Sequence, residues 1–161
     1  MINLEEHGLT VTAQPGVVEL EGFAEAGVRT VVNLRHAGEF GASAADAGPL
    51  TIEAEGEVCR RLGMDYVNLP VSMKPPPPKG DGADPRLATA FEAVLMAARE
   101  QGPVVVHCKL GQRAGAMVLI ALGRHQKWNG AKALSEAGRL GLAAAVEPAK
   151  LRDYVVACLG E

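Results

Sequence analysis

The chain has 161 residues, of which 48% are hydrophobic and 22% are charged, and its formal net charge is −3. These values predict one globular domain over residues 1–161. The absence of a lysine- or arginine-rich run argues against nucleic-acid and membrane partners. The chain has three cysteines, an odd number, and their spacing is not that of metal ligands; they are Cys59, Cys108 and Cys158. We therefore expect a reduced, cytoplasmic protein, without a signal peptide, that uses neither a metal nor another cofactor.

Strands alternate with helices in the predicted structure. Apolar or β-branched runs predict strands at 9–13, 30–34, 65–71 and 104–106. Helical spacing and capping residues predict helices at 17–26, 52–62, 84–101, 114–122, 130–137 and 148–159. The pattern indicates an α/β fold with a central, mostly parallel sheet of four to five strands flanked by helices. Ligands of such sheets bind at the carboxyl ends of the strands.

Two longer segments between these elements are predicted to be loops. Residues 35–50 are rich in Gly, Ala and Ser and indicate a mobile surface loop. The side chains in it that could take part in chemistry are those of Arg35, His36 and Glu39. Residues 74–84, KPPPPKGDGAD, contain four consecutive prolines, which favour polyproline II and cannot join a sheet. A rigid spacer between strand and helix is one interpretation of this run, and a ligand for a partner domain is the other.

The stretch 103–115, PVVVHCKLGQRAG, carries the clearest functional signal. A buried strand leads into a short loop with a glycine and then into a helix, where loop amides and the helix dipole attract anions. These amides and Arg113 would stabilise a thiolate on Cys108, as in nucleophilic cysteines. Taken singly, Cys108 could be a buried hydrophobic residue, Arg113 a surface cation and His107 a hydrogen-bonded core residue. We call residues 108–113 the cysteine loop.

The sequence HCKLGQR at 107–113 resembles the signature loop of cysteine-dependent protein tyrosine and dual-specificity phosphatases. The strands TVVNLR, YVNLPV and PVVVHC and the pair Gln14 and Pro15 extend the resemblance to the bacterial beta-lactamase-hydrolase-like phosphatase family, over residues 9–122. The resemblance implies a dual-specificity-phosphatase-like fold. It also implies a hydrolase that acts on phosphotyrosine or other phosphomonoesters, in a phosphorylated protein or a small phosphate ester.

The resemblance also implies a role for each residue of the site. Cys108 would attack phosphorus to form a phosphocysteine, Arg113 would clamp two phosphoryl oxygens, and His107 would support the loop. The phosphoryl group would be bound by the amides of Lys109, Leu110, Gly111, Gln112 and Arg113. In similar phosphatases the general acid is an aspartate on an earlier loop, which here offers Asp81 and Asp84. We choose Asp81, because Asp84 is suited to cap the next helix.

Two features depart from the usual pattern of these phosphatases. Four residues separate Cys108 from Arg113, one fewer than is usual, and Ala114 follows where a serine or threonine is usual. The shorter loop also resembles that of rhodanese sulfurtransferases, in which the cysteine carries a persulfide. A rhodanese-type sulfurtransferase and a non-catalytic phosphate-binding module are therefore alternatives to the phosphatase. The sequence indicates neither the physiological substrate nor the oligomeric state.

Overall fold

A five-stranded sheet lies at the centre of the computed structural model, which describes residues 1–37, 39, 50–73 and 84–161. The strands are β1 (Ile2–Leu4), β2 (Leu9–Thr12), β3 (Thr30–Asn33), β4 (Asp65–Asn68) and β5 (Val104–His107). Their order across the sheet is β1-β2-β5-β3-β4. Only the edge pair β1–β2 is antiparallel. The predicted α/β class and mostly parallel sheet are confirmed.

Helices cover both faces of this sheet. The helices of the described residues are α1 (Val17–Glu25), α2 (Ile52–Arg61), α3 (Pro85–Gln101), α4 (Gln112–Gln126), α5 (Gly130–Arg139), α6 (Ala143–Val146) and α7 (Ala149–Leu159). A smaller apolar cluster packs α1 and α2 against one face of the sheet. A larger apolar cluster packs the five helices from α3 through α7 against the other face. None of the helices in the described ranges combines the length and apolar character that a bilayer span requires.

The central strand and the helix that follows it are buried on all sides. Val104 and Val106 belong to the larger cluster, whereas Val105 belongs to the smaller one, as alternating side chains of a strand require. In α4 every residue from 114 to 123 is buried. The continuous apolar runs in the sequence therefore have the predicted cause, which is packing on both faces.

The four parallel strands end in a single row. Thr12, His107, Asn33 and Asn68 are aligned across β2, β5, β3 and β4. The cysteine loop thus leaves the middle of the carboxyl edge, between the segments that follow β2 and β3. The position predicted for this loop is confirmed.

The structure differs from the predictions at several element ends. The strand predicted over 65–71 ends at Asn68. The side chain of Asn68 donates to the carbonyl oxygens of Asn33 and Arg35, both at 2.9 Å, and Pro70, two residues later, has no amide hydrogen to donate to the ladder. The short elements β1 and α6 were not predicted, since three or four residues carry no periodicity.

The two predicted loops are described only in part. Residues 38, 40–49 and 74–83 lie outside the described residues, and so do the proline run and Asp81. The surface-loop prediction for 35–50 is wrong for Arg35, which is fully buried because it pairs with a buried carboxylate. Asp84 has the predicted capping role: its carboxylate accepts from the amide of Arg86 at 2.9 Å.

Candidate active site

The cysteine loop begins with Cys108 directly after β5 and turns at Gly111 into α4. The Cys108 side chain is 2% exposed, and its Sγ accepts a hydrogen bond from the amide of Gly111 at 3.2 Å. Gly111 has φ of +85°, and a Cβ there would lie 3.3 Å from the carbonyl oxygen of Thr12. Glycine therefore permits the tight turn that brings the amide to the sulfur.

The N-terminus of α4 supplies further donors beside this sulfur. The first hydrogen bond of the helix runs from the amide of Gly115 to the carbonyl of Gly111, at 2.8 Å. The amides of Gln112, Arg113 and Ala114 therefore have no acceptor in the helical ladder. Lys109 and Leu110 are exposed at the loop tip. A loop of this form, followed by a 15-residue helix, suits an anion.

The guanidinium of Arg113 is held rigidly by two protein groups. Its Nη1 donates to Oε1 of Glu39 and to the carbonyl oxygen of Val71, each at 2.8 Å, and its Nη2 donates to Oε2 of Glu39. A guanidinium has five N–H donors, so Nε and one hydrogen of Nη2 remain. Within the described residues no oxygen accepts from these two, which form one edge of the planar group.

Arg113 is also hydrogen-bonded to the side chain of Cys108, the predicted nucleophile. Burial opposes the charge of Arg113, but the hydrogen bond to Glu39 and the charge of a Cys108 thiolate together raise its pKa. Arg113 is thus a fixed cation beside the sulfur of Cys108. The predicted pair of Cys108 and Arg113 is brought together in the structure.

Glu39 is the partner that fixes this arginine. Its side chain is 15% exposed, and burial raises its pKa, but the hydrogen bonds from Arg113 and from the amide of His36 outweigh burial, so that the net pKa is lowered. The His36 imidazole Nε2 lies 2.8 Å from Oε1 of Glu39. Two of the three residues singled out in segment 35–50, Glu39 and His36, therefore lie beside Arg113.

Beneath the loop, His107 contacts a buried carboxylate on α2. Its Nε2 lies 2.5 Å from Oε1 of Glu55, and its Nδ1 lies 3.5 Å from the carbonyl oxygen of Cys108. Both His107 and Glu55 are fully buried. The histidine is a hydrogen-bonded core residue that also contacts the start of the cysteine loop.

The other oxygen of Glu55 accepts three further hydrogen bonds. The donors are Gln14 Nε2 at 2.8 Å, Arg35 Nη2 at 3.2 Å and Asn33 Nδ2 at 3.3 Å. Asn33 Nδ2 also donates to the hydroxyl of Tyr66 at 2.8 Å. Residues from three separate segments, after β2, around the end of β3 and at the end of β5, thus converge on one carboxylate. Sequence reasoning did not single out Glu55, although it lies on the helix face of Val58 and Cys59, three and four residues later, where a carboxylate is unusual.

The remaining predicted groups contribute little to the described site. Asp81 lies outside the described residues, and Asp84 caps α3. Burial and the nearby Glu55 raise the pKa of the Cys59 thiol to about 12, and burial also raises the pKa of Cys158. Neither thiol suits nucleophilic chemistry. Among the side chains that the structure describes, no cluster of His, Cys, Asp and Glu is arranged to hold a metal ion.

Comparison with known proteins identifies relatives of the chain. Residues 4–126 match the family model of the beta-lactamase hydrolase-like protein, phosphatase-like domain. Beta-lactamase hydrolase-like proteins of Xylella fastidiosa and Agrobacterium fabrum are each 32% identical to the chain, over 114 and 115 residues. These matches cover 71% of the chain but only 22% and 23% of the relatives, so the chain matches less than a quarter of their length.

Solved structures share the fold along nearly the whole chain. A DUF442 protein of Shewanella putrefaciens CN-32 is 26% identical, with a TM-score of 0.64, and the match covers 99% of this chain and 93% of that one. TpbA of P. aeruginosa, solved in complex with phosphotyrosine, is 20% identical with a TM-score of 0.59, over 95% of this chain and 86% of that one. By the family match over residues 4–126, the chain belongs to the phosphatase-like domain family of the beta-lactamase hydrolase-like proteins.

Proposed function

We propose that residues 1–161 form a single phosphatase domain that hydrolyses phosphotyrosine or other phosphomonoesters through a phosphocysteine on Cys108. One observation carries this proposal: Arg113 is fixed by Glu39 and Val71, and among the described residues no oxygen accepts from the other two donors of its planar group, beside the sulfur. Two parallel donors match two oxygens of a phosphoryl group. Membership of a phosphatase-like family and the phosphotyrosine bound to TpbA support the same reaction.

The reaction proceeds in two displacements at phosphorus. The Cys108 thiolate attacks phosphorus while the ester oxygen leaves, and water then attacks the phosphocysteine to release inorganic phosphate and the thiolate. Arg113 and the amides of residues 109–113 stabilise the negative charge on the equatorial oxygens in both steps. Before substrate binds, the amide of Gly111 donates to Sγ and stabilises the thiolate that attacks.

Proton transfer to the leaving oxygen is assigned to Asp81. In the sequence this aspartate lies between Gly80 and Gly82, some thirty residues before Cys108, where similar phosphatases carry their general acid. An aryl phosphate with a good leaving group depends less on this acid than an alkyl phosphate does. Asp81→Asn should therefore slow alkyl esters more than aryl esters.

The decisive experiment compares two substrates on the same preparation. We expect p-nitrophenyl phosphate to be hydrolysed and thiosulfate with cyanide to give no thiocyanate. Cys108→Ser should abolish hydrolysis, with Cys59→Ser as the matched control that retains it. Turnover of thiosulfate without turnover of the phosphate ester would refute the phosphatase.

The rhodanese-type sulfurtransferase is favoured by one observation, the four-residue spacing between Cys108 and Arg113. In that reaction the Cys108 thiolate attacks the outer sulfur of thiosulfate, sulfite leaves, and the persulfide passes its sulfur to a thiophilic acceptor such as cyanide. The non-catalytic module predicts a third result: phosphate raises the melting temperature, and neither substrate is turned over.

A further inference from the structure

We propose that Glu55 is a positioning residue that holds Cys108 and Arg113 in one arrangement. It acts on Cys108 through His107 and on Arg113 through Arg35. Glu55 lies on α2, outside the cysteine loop, and no part of the phosphatase mechanism above uses it. Its effect on turnover rests on the proposed function, whereas its effect on the geometry of Cys108 and Arg113 does not.

The first connection runs from Glu55 to Cys108. A carboxylate only accepts hydrogen bonds, so the 2.5 Å contact requires the hydrogen to be on Nε2 of His107. This bond fixes the ring, and its Nδ1 lies 3.5 Å from the carbonyl oxygen of Cys108. Because His107 and Cys108 are adjacent in the chain, a fixed histidine ring fixes the start of the cysteine loop.

The second connection runs from Glu55 to Arg113. Arg35 Nη2 donates to Oε2 of Glu55 at 3.2 Å and to the carbonyl oxygen of Leu50 at 2.9 Å, and its Nη1 donates to the carbonyl oxygen of Glu39 at 3.1 Å. The side chain of that same Glu39 holds Arg113. The planar fork of Arg35 therefore fixes the backbone from which the clamp's partner projects.

Stability alone is a poor explanation for an ionic group at this place. Glu55 and Arg35 are both fully buried, and two apolar residues of the same volume often fill such a space with equal or greater stability. The two oxygens of Glu55 are instead divided between the two connections, with Oε1 towards Cys108 and Oε2 towards Arg113. This division is the observation that points to positioning.

The test uses Glu55→Gln in the full chain and two measurements that need no turnover. The first is the rate at which iodoacetamide alkylates Cys108, followed by mass spectrometry of its peptide. The second is the protection of Cys108 from alkylation by sulfate, which reports on Arg113. A glutamine keeps the volume of Glu55 but removes its charge and offers one acceptor oxygen in place of two, so the connections through His107 and Arg35 can no longer both be made as they are in the wild type.

We expect alkylation of Glu55→Gln to slow by roughly tenfold, the lower end of what the loss of a hydrogen-bonded supporting residue costs at metal sites, and sulfate protection to weaken with it. Turnover of p-nitrophenyl phosphate should fall in kcat more than it rises in KM. Two control variants separate this effect from lost stability. Val28→Ala removes a buried side chain just before β3, at the end of the sheet opposite the cysteine loop, and Glu92→Gln removes the Arg124 ion pair on the surface. Both should leave alkylation and protection unchanged.

Arg35→Lys tests the second connection by itself and decides the matter if Glu55→Gln fails to fold. A lysine keeps the charge beside Glu55 but lacks the fork that reaches Glu39 and Leu50, so sulfate protection should weaken more than alkylation slows. Folded Glu55→Gln, or Arg35→Lys in its place, with wild-type alkylation and protection would overturn the proposal. Wild-type protein that hydrolyses no phosphate ester would refute the phosphatase and leave this comparison intact.

Discussion

Arg113→Lys separates the geometry of the phosphate clamp from its charge. In the part of the chain that the structure describes, three of the five guanidinium donors go to Glu39 and Val71, and the two on the other edge donate to no oxygen. An ammonium has three donors in all, the number that Glu39 and Val71 already take. The lysine variant therefore keeps the cation beside Cys108 but has no pair of donors left for the phosphoryl oxygens.

The expected loss follows from the two missing hydrogen bonds. A hydrogen bond to a charged group contributes about 1.5–3 kcal/mol, so two contribute about 3–6 kcal/mol to the transition state. Since each 1.36 kcal/mol corresponds to about a tenfold change in rate, kcat/KM for p-nitrophenyl phosphate should fall by about 10²- to 10⁴-fold.

Initial-rate measurements with purified protein of matched melting temperature are the assay. The matched control is Arg124→Lys, which changes another α4 arginine, paired with Glu92 at 3.0 Å, at the far end of the helix. This control should retain full activity. If Arg113→Lys stays within about threefold of wild type, less than 1 kcal/mol is lost, and the bidentate clamp is refuted.

Three further predictions concern residues around the same loop. The pKa of Glu39 is lower in the folded protein than its usual 4.5, so the stability that its charge contributes is present above pH 4.5 and is lost as the pH falls further. The free energy of unfolding in urea should therefore depend less on pH below 4.5 in Glu39→Gln than in the wild type. An equal pH dependence in both proteins would contradict this cause. Gly111→Ala puts a side chain on a residue with left-handed backbone conformation, and its Cβ would lie 3.3 Å from Thr12. We expect a loss of about 1–2 kcal/mol in the free energy of unfolding and slower alkylation of Cys108. Gly138→Ala, whose Cβ would have no atom within 4 Å, should show neither effect. Ala114→Ser restores the hydroxyl residue that is usual after the arginine in the resembling phosphatases, and a hydroxyl there can donate to the departing thiolate. Rapid-quench kinetics should therefore show faster phosphocysteine breakdown and a higher kcat, and a larger burst with slower breakdown would argue against that role.

The sequence predicted the fold well because its strands and helices differ clearly in pattern. The run Val104–His107 is buried on both faces, and α3 begins with the aspartate and proline that its cap requires. Such local signals also indicated the position of Cys108 and the loop around it. The edge strand β1 escaped prediction because its three residues acquire their structure by pairing with β2.

The partners of the site were harder to predict because they are distant in the chain. Glu39 reaches Arg113 across 74 positions, and Glu55 reaches His107 across 52. Arg35 follows a predicted strand in a Gly- and Ala-rich segment, so its sequence indicates exposure, while burial comes from the ion pair with Glu55. Tertiary pairing of charges has no local period and becomes visible only in the folded chain.

Trapping of the reaction intermediate tests the central claim most directly. The protein is mixed with p-nitrophenyl phosphate, quenched in acid within the first turnovers, digested and examined by mass spectrometry. We predict one added phosphoryl group on the peptide that contains Cys108 and none on the peptides of Cys59 or Cys158. Hydrolysis of the ester without phosphorylation of Cys108 would contradict the account.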